Sequence, residues 1–130
     1  MRLLLDTHVA LWFAQGSYEL SEGECELIES ATILAVSAVS FWELRLKWNS
    51  RFASGKRKGP ADPVLIRKAL FDENCEFIAL SDEMAVTALL TPLNHTDPFD
   101  ELLLVQAQCT GMRLLTRDGR LAEHPLALTG

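Results

Sequence analysis

Short apolar runs alternate with segments of helical pattern along the whole chain, and this alternation narrows the possible folds more than any other feature. The runs that read as strands are 2–5, 32–36, 76–80 and 113–116, with the tail 126–128 as a candidate fifth. Continuous apolar strands separated by helices are typical of parallel sheets that are covered on both faces. We therefore predict an α/β fold with a central parallel sheet of four to five strands flanked by helices. The length of 130 residues fits one domain, 1–130.

Capping residues and helix breakers set the limits of the helices between these strands. Ser21 and Glu24 form an S-x-x-E capping box, and Gly111 ends the last helix. The predicted helices are about 8–15, 22–31, one that begins after Ser37 or Ser40, 63–73, one from Ser81 or Asp82 to about Leu90, and 98–110. The segment 51–62 contains two glycines and a proline and is predicted to be a mobile loop.

The third predicted helix has its apolar residues at helical spacing. Val39, Trp42 and Leu46 follow helical spacing and predict one buried stripe.

The three cysteines at 25, 75 and 109 lie far apart in apolar or helical segments, so we expect buried free thiols in a reducing cytoplasm. No uncharged run approaches the roughly 20 apolar residues of a membrane span, so we expect no contact with a membrane.

Four acidic residues occupy positions that the predicted topology brings to one edge of the sheet. Asp6 directly follows the first strand, Asp118 follows the fourth, and Asp100 lies in the first turn of the helix that Pro98 opens. Glu43, one turn into the helix after the second strand, can reach the same edge. Ligands of open parallel sheets bind at the carboxyl ends of the strands. Because clustered carboxylates repel one another, an oxygen-only set of this kind indicates a hard divalent cation, Mg²⁺ or Mn²⁺.

Each of these acids also has an ordinary structural explanation. Asp100 could complement the dipole of its helix, and Asp118 before a glycine is a common turn residue. Glu43 could pair with Lys47 one helical turn further on. Asp6 is the hardest to explain in this way, because an acid that closes a strand of three leucines is not required for capping.

The charge of the chain is distributed unevenly. The net charge of −6 argues against a protein whose whole surface binds nucleic acid. Half of the 12 basic residues, however, fall within residues 45–59, a stretch without any acid. This basic stretch is a candidate RNA-binding patch, and its alternative is a solvated loop that only aids solubility. The patch consists of Arg45, Lys47, Arg51, Lys56, Arg57 and Lys58.

Four motifs in order along the chain resemble those of PIN-domain ribonucleases, most closely the VapC toxins of bacterial type II toxin–antitoxin systems. The motifs are LLLDTHVALW at 3–12, SAVSFWE at 37–43, HTDPFD at 95–100 and LLTRD at 114–118. The resemblance implies a PIN fold and a Mg²⁺-dependent (or Mn²⁺-dependent) endoribonuclease that cleaves RNA with a metal-activated water. The residues it implies for catalysis and for metal binding are Asp6, Glu43, Asp100 and Asp118.

Supporting residues follow from the same motifs. Thr7 and Thr116 match hydroxyl positions beside the acids, where they could orient a carboxylate or a water. Asp97 precedes Pro98 in an extended conformation, so we expect it to fix the loop or to act as a supporting acid behind Asp100.

The resemblance also implies protein partners: a small antitoxin whose tail enters the site, and a second copy of the chain in a homodimer. Trp12, Phe13 and Leu20 exceed the needs of one small core and are candidates for such a surface. A non-catalytic PIN-like RNA-binding or scaffold module is the alternative function. A phosphoacceptor receiver domain is disfavoured, because the third predicted strand ends in Ser81-Asp82 and the last strand lacks the required lysine.

Overall fold

The computed structural model describes residues 1–95 and 97–130, so Thr96 of the third motif lies outside the described residues. Within this part of the chain, strands and helices alternate as predicted. The strands are β1 (Arg2–Leu5), β2 (Ile33–Ser37), β3 (Glu76–Ile78), β4 (Arg113–Leu115) and β5 (Ala127–Leu128). The helices are α1 (Thr7–Gln15), α2 (Glu22–Ser30), α3 (Ala38–Asn49), α4 (Pro63–Asp72), α5 (Asp82–Val86) and α6 (Pro98–Thr110).

The five strands form one parallel sheet in the order β3-β2-β1-β4-β5, which confirms the predicted α/β class. The central strand β1 pairs with β2 on one side and β4 on the other, so Leu4 lies between Ala35 and Leu114. Leu3 and Leu5 pack into one apolar core with α1 and α4, and Leu4 packs into a second core with α6. Because side chains alternate along a strand, a run of three leucines serves both cores.

Helix α5 is shorter than predicted, because it ends at Val86 and not near Leu90. The next residues use the side chain of Gln108 on α6 as their hydrogen-bond partner. Gln108 donates to the Ala88 carbonyl at 3.1 Å and accepts from the Leu90 amide at 2.9 Å. These bonds satisfy backbone groups that a continued helix would have paired internally.

The predicted mobile loop contains a hydrogen-bonded turn, which we call the basic hairpin (residues 50–58). Arg51 and Arg57 form an antiparallel bridge, and the Lys58 amide donates to the Ser50 carbonyl at 2.9 Å. Gly59 then passes the end of α3 so closely that a Cβ would lie 2.6 Å from the Trp48 amide nitrogen. The segment lacks a regular strand, as predicted, but its backbone is held against α3.

The predicted burial of a stripe on α3 is wrong for Trp42 and Leu46. Val39 is buried, but Trp42 is 50% exposed and Leu46 is also exposed. Val39 packs into the α6 core, whereas Leu44 and Phe41 pack into the core beside α1 and α4. The helix is thus embedded between two cores, and a single stripe calculated from helical period does not describe it.

Burial also corrects two smaller expectations. Phe13 and Leu20, proposed as a partner surface, are half-buried, because part of each side chain packs against the chain's own core. Of the three thiols, Cys75 is buried, Cys25 is half-buried and Cys109 is exposed, so buried thiols were predicted correctly only in part. In the described part of the chain, none of the helices has the length and apolar character needed to cross a bilayer.

Candidate active site

A cleft of about 470 Å³ opens at the carboxyl edge of the sheet and contains all four predicted acids. Its lining combines these carboxylates with basic and aromatic side chains. The lining residues are Asp6, His8, Trp12, Glu43, Lys47, Asp97, Asp100, Arg117, Asp118 and Arg120. The four acids therefore lie together at the edge of the sheet where the topology predicted them.

Asp6 lies at the centre of this edge, between β1 and α1. Its carboxylate caps α1 by accepting from the Thr7 amide at 2.7 Å, and its other oxygen accepts from the Thr116 hydroxyl at 2.6 Å. Burial raises the pKa of Asp6, and the nearby charge of Asp100 raises it further, while the two hydrogen bonds lower it. A buried carboxylate with a raised pKa beside a second acid is the arrangement that a bound cation would stabilise.

Asp100 enters the cleft from the first turn of α6. Asp97 has the predicted extended backbone and caps this helix by accepting from the Phe99 amide at 2.9 Å and the Asp100 amide at 3.3 Å. His95 Nε2 lies 3.0 Å from Asp100 Oδ2. Burial raises the pKa of Asp100, the bond from His95 opposes this, and the charges of Asp97 and Asp118 add to the rise.

Asp118 is held by Arg120, two residues further along the same loop. Arg120 Nη2 lies 2.8 Å from Asp118 Oδ2, and the Arg120 amide donates to Asp118 Oδ1 at 2.9 Å. The guanidinium holds the pKa of Asp118 below its ordinary value. Asp118 is thus both the turn residue of the ordinary explanation and a member of the acidic edge.

Glu43 reaches the cleft from α3 and is mostly covered, with 16% of its side chain exposed. Lys47, one turn further along the helix, pairs with it at 3.1 Å. The pairing that served as the structural alternative therefore exists, and both residues line the cleft as well.

Two threonine hydroxyls connect the elements that carry the acids. Thr116 donates to Asp6 and accepts from the Asp118 amide at 3.1 Å, which joins the ends of β1 and β4. Thr7 Oγ1 donates to Ser40 Oγ at 2.9 Å and so joins α1 to α3, the helix of Glu43. The Thr116 hydroxyl orients a carboxylate as expected, whereas the Thr7 hydroxyl bonds Ser40 and no acid among the described residues.

The donor chemistry of the cleft fits a hard divalent cation. Its acidic side chains all offer carboxylate oxygens, and no cysteine is among the described residues that line it. Among the described residues, however, no three His, Cys, Asp or Glu side chains are grouped closely enough to hold a metal ion as they stand. Three of the acids are instead bonded to basic partners: Glu43 to Lys47, Asp100 to His95 and Asp118 to Arg120. Cation binding would require these carboxylates to exchange partners.

The predicted RNA-binding patch is divided in the structure. Lys47 lines the acidic cleft, whereas Arg45 lines a separate apolar groove beside Trp42. The other four basic residues belong to the basic hairpin, where Arg57 stacks over Trp48 with its guanidinium carbon 4.3 Å from the ring centroid. Trp48 is half-buried, so it combines packing with this contact.

Sequence reasoning missed two cleft residues, Arg117 and Arg120, and it assigned Trp12, which also lines the cleft, to a partner surface. Arg117 donates to the Glu24 carboxylate and lies over the Trp12 ring at 4.5 Å. A signal for the two arginines was present, because they flank Asp118 in the sequence TRDGR. The six basic residues at 45–59 form a denser cluster than these two arginines.

Comparison with known proteins places this geometry in a family. The PIN domain model matches residues 3–125. The chain is 36% identical to Ribonuclease VapC22 of Mycobacterium tuberculosis over 123 residues, which cover 94% of this chain and 91% of that protein.

Solved structures agree as to the fold. The crystal structure of VapBC2 from Rickettsia felis bound to a promoter DNA fragment contains a chain that superimposes with a TM-score of 0.66 at 17% identity, covering 100% of this chain and 98% of that one. A toxin–antitoxin complex from Klebsiella pneumoniae gives a TM-score of 0.64 at 15% identity, covering 98% and 96%. On the family match and the 36% identical relative, this chain belongs to the PIN domain family.

Proposed function

We propose that the chain is a divalent-cation-dependent endoribonuclease, the toxin of a VapBC-type toxin–antitoxin pair. The observation that carries the proposal is the cleft in which Asp6, Glu43, Asp100 and Asp118 converge from four separate elements of the chain. Asp6 and Asp100 are both buried at this edge. Asp6 does cap α1, contrary to the sequence expectation, but a cap does not require a second buried carboxylate in the same cleft. The ribonuclease name of the 36% identical relative supports RNA as the substrate class.

The four carboxylates would hold Mg²⁺ or Mn²⁺. When bound, the cation would offset their mutual repulsion and polarise a phosphoryl oxygen of the RNA. The Thr116 hydroxyl orients Asp6 and fixes its distance from the Asp118 loop. Asp97 sets the first turn of α6 and thereby the position of Asp100.

Basic groups around the cleft would bind the RNA backbone. Lys47 is in the cleft, and the basic hairpin extends from the same helix beyond it. Phosphate contacts of lysine and arginine make affinity strongly dependent on salt. The hairpin, with its four basic residues, is therefore the candidate for further phosphate contacts outside the cleft.

RNA cleavage with and without Mg²⁺ tests the proposed activity. We expect single-stranded RNA to be cut with Mg²⁺ but not with EDTA, and Asp6→Asn to reduce the rate at least about 100-fold, because it removes a negative ligand from the centre of the edge. Asp72→Asn is the matched control, because Asp72 pairs with Lys68 on an exposed helix face outside the cleft. Cleavage that survives both EDTA and Asp6→Asn would refute the proposal. RNA binding without cleavage at any Mg²⁺ concentration would favour the non-catalytic binding module.

The salt dependence of RNA affinity tests the basic hairpin. Replacing Lys56, Arg57 and Lys58 together with glutamine should weaken binding and lower the slope of log affinity against log salt by about two to three. An unchanged slope would identify the hairpin as a solubility loop.

The expected protein partners also remain proposals. The structural neighbours are toxin–antitoxin complexes, which supports a small antitoxin as partner. Co-purification with the product of an adjacent small reading frame, together with loss of RNA cleavage in the complex, tests it. The homodimer is tested by light scattering on the isolated chain, where a monomer at all concentrations would refute it.

A further inference from the structure

Arg120 contacts acids from two different elements of the cleft. Its Nη2 lies 2.8 Å from Asp118 Oδ2 and 3.6 Å from Asp100 Oδ2. Its Nε lies 3.2 and 3.3 Å from the two oxygens of Asp118. The chain thus supplies its own cation to oxygens that a divalent ion would need.

The backbone beneath this contact is fixed, whereas the end of the side chain is free to move. The Leu121 amide donates to the Asp118 carbonyl at 3.0 Å, and the Leu121 side chain is fully buried. By contrast, the Arg120 side chain is 58% exposed. Rotation about its own bonds can therefore remove the guanidinium from the acids while the loop keeps its place. Exposed ion pairs contribute little free energy, so this exchange is easy.

We propose that Arg120 is a built-in counter-ion that competes with the divalent cation for Asp118 and is displaced when the cation binds. The inference rests on the proposed function, because it requires a cation at these acids. In the cation-free protein the guanidinium offsets charge at Asp118 and Asp100, so the acidic edge can fold without a metal. It also explains why the acids are gathered in one cleft and yet form no ready set of ligands.

Titration with Mn²⁺ in the absence of RNA tests the competition. We expect Arg120→Gln to bind Mn²⁺ about 3- to 10-fold more tightly than wild type by calorimetry, a modest gain because the lost guanidinium is itself largely exposed. Arg120→Lys keeps the charge but lacks the planar fork, so its affinity should lie between the two. Mn²⁺ affinity of Arg120→Lys equal to that of wild type would overturn direct competition, because charge alone would then account for the glutamine variant.

Thermal unfolding separates this role from a purely structural one. Without cation, Arg120→Gln should melt below wild type, because the acids lose their counter-ion. At saturating Mn²⁺ the two proteins should melt together, because the wild-type guanidinium is then displaced and the variant has none. A structural role would instead lower both melting temperatures equally, and that result would overturn the inference.

A matched control variant and two distinguishable negative results complete the test. Lys68→Gln removes one positive charge from a surface pair outside the cleft and should leave Mn²⁺ affinity unchanged. Equal Mn²⁺ affinity of wild type and Arg120→Gln would overturn the inference but leave the proposed nuclease intact. Failure of wild type to bind Mn²⁺ at all would overturn the proposed function with it.

Discussion

The ion pair between Glu24 and Arg117 fastens α2 to the loop that carries Asp118, and we expect its loss to destabilise the fold measurably. The Glu24 side chain is 2% exposed and accepts from the Ser21 amide at 2.8 Å, from Arg117 Nε at 3.3 Å and from Arg117 Nη2. A hydrogen bond to a charged group contributes about 1.5–3 kcal/mol. Because the Arg117 side chain is 41% exposed, water can replace part of what the guanidinium loses. We therefore expect Glu24→Gln to cost about 2 kcal/mol.

Urea unfolding followed by circular dichroism measures this loss. The midpoint should fall with no change in m, and the melting temperature should drop by about 6–8 °C for a chain of this size. Glu22→Gln is the matched control, because Glu22 is an exposed acid in the same helical turn. A double-mutant cycle with Arg117→Gln should give a coupling energy of about 1 kcal/mol or more.

The pH dependence of the same pair has a definite sign. Burial alone would raise the pKa of Glu24, but the hydrogen bonds from Arg117 and Ser21 outweigh it and hold the pKa below the ordinary value of 4.5. The unfolded chain therefore takes up this proton first as pH falls, so the contribution is complete above pH 4.5 and is lost below it. The stability difference between wild type and Glu24→Gln should shrink as the pH falls below 4.5. A difference that stays constant over this range, or one below about 0.5 kcal/mol at pH 7, would refute the reasoning.

Three further predictions concern the core, the hairpin and the thiols. Leu4→Ala should lower the free energy of unfolding by about 3–4 kcal/mol in urea titrations, because this fully buried side chain would leave a cavity under α6. Gly59→Ala should displace the basic hairpin, because its Cβ would meet the Trp48 backbone at 2.6 Å. We expect weaker RNA binding while circular dichroism shows the central fold intact, and unchanged RNA binding would contradict the prediction. Burial, aided by Glu73, raises the pKa of Cys75 to about 11, so iodoacetamide should modify the exposed Cys109 first and Cys75 only on unfolding, as peptide mass spectrometry can show.

Features that depend on local chemistry were predictable from the sequence. β1 and α6 have the predicted limits, because three leucines before an acid and the Pro98–Gly111 frame each define an element without reference to distant residues. The place of Asp6 and Asp118 was predictable for a topological reason, since parallel strands end at one edge.

Features that depend on distant partners were not predictable. The early end of α5 depends on Gln108, which lies 18 and 20 positions from the backbone groups it bonds. The exposure of Trp42 depends on how α3 is wedged between two cores. The choice of Arg120 as the partner of Asp118 was open in the sequence, because six other basic residues formed a more conspicuous cluster. Periodicity and spacing carry no information on such pairings.

The bond between Thr116 and Asp6 joins positions 110 residues apart, and this has a consequence for biosynthesis. The central strand β1 is synthesised before its neighbour β4, and β2, β3 and all six helices lie between them in the chain. Until β4 docks, Asp6 lacks its threonine partner and Asp118 has no fixed place, so a nascent chain carries no assembled cleft. A growing chain that has not yet reached β4 therefore cannot present this cleft to any ligand.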